Sequence, residues 1–154
     1  MQKMTNKKSQ QFAFVLVALF VGIFIMTLPP RTSAQCVQWD ARSMYGIQQS
    51  NNILVKLELN QRGPRLSGNA SFPGKTKTEH GTVIGSFRAD SFRIEIKWDY
   101  GETGVYTGKL VEEWHPKAKL TYLAGDAIIK EQPDNKSRHT TWKSVVSLKC
   151  YSGR

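Results

Sequence analysis

Histidine and cysteine are both scarce in this sequence, with three of the first and two of the second among 154 residues. The cysteines, Cys36 and Cys150, lie far apart, so the close C-x-x-C spacing of a redox-active pair is missing. His80, His115 and His139 fall on separate segments, and the strand order read below puts the first and last at one end and His115 at the other, too dispersed for one ion. No nucleophile elbow, phosphate-binding glycine loop or HExxH motif occurs. The adjacent acids Glu112 and Glu113 point to opposite faces of a strand, which defeats paired acid and base work. These absences argue against an enzyme, a metal site and a cofactor.

Also missing is a run of cations after the N-terminal segment. The formal net charge is +10. Four of the cations (Lys3, Lys7, Lys8, Arg31) precede residue 35 with no anion among them, leaving +6 for the remainder. There the cations alternate with Asp and Glu along the strands, which describes a solvated exterior and gives no footprint for nucleic acid. Single-strand binding by an OB-like barrel would need a cationic groove with exposed aromatics and about five strands, which this pattern does not offer.

What is present begins with a cationic start, an apolar run from Phe12 to Met26, and Leu28-Pro29-Pro30-Arg31-Thr32-Ser33-Ala34. That order is a secretory signal over residues 1–34, with cleavage after Ala34; an uncleaved single-span anchor is the alternative, and only it would bring a membrane into play. Gln35 before Cys36 does not fit a lipid-attachment site. Residues 35–154 are then one extracytoplasmic domain, secreted or periplasmic. In an oxidising compartment Cys36 and Cys150 read as a disulfide joining its first and last segments.

The exported part shows period-two alternation and no convincing helix. It divides into about eight strands near 43–49, 53–60, 65–72, 82–88, 91–98, 104–112, 119–130 and 140–150. Phe92-Arg93-Ile94-Glu95-Ile96-Lys97-Trp98 is the clearest, with every second residue apolar. Gly68, Gly85, Gly108 and Gly125 each sit mid-strand, as expected where strands bend at barrel corners or something lies against the backbone. The expected fold is all-β, an antiparallel up-and-down eight-stranded barrel. If neighbours in sequence pair, one end carries tight turns and the other the longer loops, including Pro73 to His80, which Gly74 and Gly81 would hinge as a lid.

Inward positions at the tight-turn end are Leu59, Leu66, Phe87, Phe92, Leu110 and Leu148, an apolar plug. At the open end they are Gln49, Phe72, Trp98, Tyr106, Trp142 and Ser144, an aromatic mouth with polar groups suited to a small ligand. Trp98, Tyr106, Phe72 and Trp142 would stack, and Gln49, Asn51, Thr103 and Ser144 would hydrogen-bond. Five cations (Lys75, Lys77, Lys130, Lys136, Arg138) and five acids (Glu79, Asp99, Glu102, Glu131, Asp134) in the open-end loops give no electrostatic bias.

The stretch Phe-x-Ile-x-Ile-x-Trp at 92–98, a short polar loop, then Gly104-Val105-Tyr106-Thr107-Gly108 resembles avidin and streptavidin, within the calycin-type barrels. The resemblance implies that Trp98 lies under the ligand ring, Tyr106 forms an aromatic wall, and Trp142 is lent to a neighbouring subunit. The polar groups with which that family clasps biotin fall here on Ile47, Asn51, Gly101 and Thr103. What is implied is therefore the barrel and its aromatic mouth rather than biotin specificity. The alternative is a filled barrel acting as a protein-interaction or inhibitor module, or a homo-oligomer, through outward apolar residues such as Leu54, Val111, Val145 and Tyr151.

Overall fold

The strand alternation reappears as burial in a computed structural model of the chain, which describes residues 36, 38–131 and 136–151. The N-terminal signal read over 1–34 lies outside the described residues, and Cys36–Arg154 forms one compact unit. In β3 (Leu54–Arg62) every second side chain is buried, and β6 (Ser91–Trp98) repeats the pattern. Such strands have one dry face and one wet face, and closing them on themselves hides the dry one without leaving an edge.

Eight strands close the barrel in sequence order: β2 (Gly46–Gln49), β3, β4 (Arg65–Pro73), β5 (Thr78–Arg88), β6, β7 (Thr103–His115), β8 (Ala118–Lys130) and β9 (Ser137–Ser144). All neighbours are antiparallel, including the closing pair β2 and β9. The expected fold class is thus the observed one. Outside the barrel, β1 (Trp39–Asp40) and β10 (Lys149–Cys150) form a two-stranded clasp. Here the Cys36–Cys150 disulfide, with Cα atoms 5.6 Å apart, joins the ends.

Several boundaries differ from the sequence reading: β5 begins at Thr78 rather than 82, β7 runs on to His115 rather than 112, β9 begins at Ser137 rather than 140, and the outer limits of the barrel shift as well. The first strand begins at Gly46, because Ala41–Ser43 form a single 3-10 turn capped by the Asp40 carboxylate, which accepts from Arg42 N at 2.9 Å. Ala41 and Met44 flank that turn and are fully buried, and the Gln61 side chain ties it down by accepting from Ala41 N at 2.7 Å and donating to Trp39 O at 3.0 Å. The last strand ends at Ser144, and the chain bends away over Val145–Leu148 before β10.

Leu59, Leu66, Phe87, Phe92 and Leu148 are buried, with Leu110 partly so, and they fill the tight-turn end. Trp142 lies above them. Its ring occupies the space over Gly108, where an added Cβ would meet Cζ2 at 2.6 Å, and Gly125 directly opposite is as tightly backed by the Thr107 carbonyl. Gly108 therefore makes room for an indole against bare backbone, and Gly125 for the close approach of the β7 backbone. An aromatic column follows: Phe87 to Phe92 at 5.8 Å, Phe92 to Trp142 at 5.6 Å, Trp142 to Tyr106 at 6.4 Å.

The β5–β6 turn carries a measurable defect. Ala89 sits at φ 50°, a left-handed conformation that a Cβ penalises, in a two-residue turn between the paired Arg88 and Ser91. Ala89→Gly should stabilise the protein by about 0.5–1 kcal/mol. A urea titration that shows no rise in midpoint would contradict this.

Candidate functional site

At the open end the inward aromatics leave a cavity of about 90 Å3. A water's share of liquid volume is about 30 Å3, so the space suits a few heavy atoms. Gln49 and Val55 supply its floor with Tyr106, which is fully buried, while Phe72, Trp98 and Ile129 form walls. Trp98 meets Phe72 edge-on at 4.8 Å and stacks on Tyr100 at 6.2 Å.

Floor chemistry is set by one pair. Gln49 Nε2 donates to the Tyr106 hydroxyl at 2.9 Å, and Gln49 Oε1 is buried without a hydrogen-bond partner among the described residues. Reversing the amide would satisfy the oxygen and orphan the nitrogen, so either orientation leaves one polar atom unpaired. A buried amide in that state costs roughly 1–3 kcal/mol. Burial pushes the Tyr106 hydroxyl pKa well above the ordinary phenol value, against the opposing effect of the Gln49 hydrogen bond, so the hydroxyl stays protonated and can donate.

The roof is a latch of charges. Arg138 Nη2 donates to both oxygens of Glu102 at 2.9 and 2.8 Å, its Nε pairs with Glu131 at 2.8 Å, and the Tyr100 hydroxyl donates to Glu102 at 3.0 Å. Desolvation and then the Glu102 hydrogen bond hold the Tyr100 phenol in its neutral form. This latch ties the β6–β7 loop to the start of β9 over the aromatic walls.

Five of the expected binding residues line this cavity together: Gln49, Asn51, Phe72, Trp98 and Tyr106. Three do not. Thr103 alternates with the inward Gly104 and Tyr106 and so faces outward. Ser144 lies at the far end of β9 from the mouth, opposite Ile47, where its hydroxyl accepts from Leu123 N and donates to Val146 O, both at 3.1 Å. Trp142 is 3 % exposed inside its own barrel, with Nε1 bonded to Asp126 O, which overturns the expectation that it is lent to a neighbouring subunit. Asn51 mainly shapes the β2–β3 turn, accepting from Ile53 N at 3.1 Å.

The lid expected from Pro73 to His80 is also corrected. Pro73 pairs with Thr78, Gly74 N donates to Lys77 O, and Gly81 is mid-strand, paired with both Ala70 and Trp98. That connection is a tight hairpin turn. The residues missed, Tyr100, Glu102 and Arg138, had left a trace in the equal numbers of opposite charges at this end, since they neutralise one another in pairs.

Among the described residues no three His, Cys, Asp or Glu side chains gather to hold a metal, and no helix is long and apolar enough to cross a membrane. No protein-family model, curated protein or solved structure matches the chain. The eight-stranded antiparallel barrel is consistent with an avidin-like or wider calycin-type fold.

Proposed function

We propose that this is an exported, non-enzymatic binding protein that takes the head of a small, partly apolar molecule into the mouth of its barrel, in avidin-like fashion but without a commitment to biotin. The observation that carries this reading is the unpaired amide of Gln49 at the base of an aromatic cavity. Buried polar groups are almost always satisfied, and an orphan at the base of a cavity is explained by a ligand atom that completes it. Gln49 Oε1 offers an acceptor beside the Tyr106 O–H donor. The complementary head is small and planar, with an N–H or O–H next to an acceptor, as in a lactam, cyclic urea or acid amide. Anything larger than the present volume enters after the Tyr100–Glu102–Arg138 latch has opened.

A thermal-shift screen of the oxidised protein against biotin, lactams, cyclic ureas and amphipathic compounds tests this. A ligand at about 100 times its dissociation constant adds roughly 2.7 kcal/mol of stability. Gln49→Leu removes the unpaired atom but also takes its hydrogen-bond partner from the buried Tyr106 hydroxyl, so the two effects on the unliganded protein oppose each other and its stability should change little, while the ligand found weakens by about tenfold or more. Unchanged affinity in that variant would remove Gln49 from the site.

The interaction-module reading has one specific support. Beyond Lys109, the last β7 residue paired with β6, the β7–β8 hairpin continues as a two-stranded ribbon, and Trp114 on it is 79 % exposed. A screen with no stabilising compound would favour a protein partner gripping that ribbon.

A further inference from the structure

The excess positive charge of the barrel is not spread evenly. At the mouth, Arg138 is neutralised by Glu102 and Glu131. At the tight-turn end, Arg42, Arg62, Arg65 and Arg88 converge on one open depression of about 910 Å3, with Asn60 and Ser67 between them. Among the described residues no carboxylate lines it, and while Arg42 is held by Asp40, Arg62, Arg65 and Arg88 have no ion pair there. In sequence these four are spread from residue 42 to residue 88; strand pairing brings Arg62, Arg65 and Arg88 together, and the 3-10 turn Ala41–Ser43 adds Arg42.

Their arrangement costs stability. Arg62 and Arg65 stand directly opposite each other in the β3–β4 ladder, where like charges repel. Across the next strand the row continues from Arg65 through Ser86 to Arg93, again without an acidic partner. Arg42 and Asn60 are shared with a second depression of about 490 Å3 that runs along β3, where Tyr45 is 55 % exposed and Glu58 provides the single acid. Sharing Arg42 and Asn60, the two depressions adjoin as one channel, cationic at one end and with an exposed tyrosine at the other.

From this channel we infer a second binding surface, distinct from the mouth, for an extended anionic polysaccharide. Guanidinium forks match sulfate or carboxylate groups bidentately, and an exposed tyrosine offers a flat face to a sugar ring. A bilayer fits less well, because the surface is concave and the leucines that line it, Leu57, Leu59 and Leu66, are buried. Single-stranded nucleic acid would call for a series of stacking aromatics, whereas among the described residues lining the two depressions Tyr45 stands alone and Tyr151 is covered by Arg42.

The test is binding of a heparin oligosaccharide to the purified, oxidised protein over a range of salt, beside neutral dextran, phosphatidylglycerol vesicles and a single-stranded oligonucleotide. Heparin should bind with a salt-dependent affinity and dextran should not. Arg62→Gln/Arg65→Gln/Arg88→Gln should weaken heparin at least tenfold and reduce the salt slope by about one per arginine removed. Tyr45→Ala should weaken it a few-fold with the slope unchanged. As a charge-matched control, Lys75→Gln/Lys77→Gln/Lys130→Gln at the opposite end should change affinity less than twofold. Equal loss in both triple variants, tighter binding of vesicles or oligonucleotide, or no heparin binding near physiological salt would each overturn the proposal.

Discussion

Cys36→Ser/Cys150→Ser is expected to lose about 3–5 kcal/mol of stability and to loosen the barrel at β2 before anywhere else. The bridge spans a sequence separation of 114. In the chain-entropy model a loop of that length is worth about 4–5 kcal/mol, and loss of native disulfides typically costs 2–5. The fold makes the effect local as well as global. β7 and β8 pair over thirteen residues, whereas β2 meets β3 over three pairs and β9 over three. The barrel therefore closes through its shortest seam, and the disulfide clasp lies beside the tight-turn end of that seam. Without it, β1 and β10 keep the pairs Trp39 with Cys150 and Asp40 with Lys149, flanked by Tyr151 N to Gln38 O and Lys149 N to Ser43 Oγ, and so short a ribbon is marginal in water. Urea unfolding of oxidised and Ser variants measures the global loss, and hydrogen exchange at Ile47 to Gln49 the local one. A midpoint shift worth under 1 kcal/mol, with β2 amides still protected, would show that the seam holds unaided.

Trp98→Ala is expected to abolish ligand binding and to cost about 3–5 kcal/mol, so the two effects need separating. From the sequence, Trp98 is an inward residue of the mouth whose loss removes binding without unfolding the domain. The structure makes Trp98 both: at 5 % exposure it belongs to the core, lying on Gly81, where an added Cβ would meet its Cε3 at 2.9 Å, and between Phe72 and Tyr100. Truncating so large a buried side chain removes its transfer energy and leaves a cavity. In a domain with total stability of roughly 5–15 kcal/mol, that is a large share. Trp98→Phe keeps much of the packing and should fold with a smaller penalty while still weakening the ligand, because it removes half the stacking face. Added indole should recover part of the melting temperature of Trp98→Ala by refilling the space. If Trp98→Ala melts within a degree or two of the parent, the residue is not core; if Trp98→Phe binds unchanged, the stacking role falls.

Much of the fold is visible in the sequence for a simple reason. β6 reads apolar at Phe92, Ile94, Ile96 and Trp98, and all four are buried; β3 behaves likewise at Val55, Leu57 and Leu59. Alternation is a property of one strand's two faces and needs no knowledge of its neighbours. The same local rule places Gln49, Phe72 and Tyr106 inward and Thr103, one residue from Gly104, outward. Failures began where depth along the barrel mattered. Ser144 and Trp142 have inward parity, but β9 starts at Ser137 and ends at Ser144, so the first sits at the far end and the second in the middle layer. Reading residues 140–150 as one strand hid the bend at Val145–Leu148. The supposed lid failed similarly: Thr78-Glu79-His80-Gly81 has no apolar alternation, yet it is strand because β4 offers it a partner as far as Pro73.

By itself, then, the sequence determined an all-β chain, the two faces of most strands, and the two cysteines that could join its ends, since periodicity and composition are written locally. Only the tertiary structure decided which side chains share a level of the barrel. It joined Glu102 to Arg138 across the mouth, set Gln49 against Tyr106 with one amide atom left over, and gathered Arg42, Arg62, Arg65 and Arg88 into one channel. Those groups are separated by up to 57 positions in the chain. Their meeting depends on strand register and on where each turn falls, which no single segment encodes.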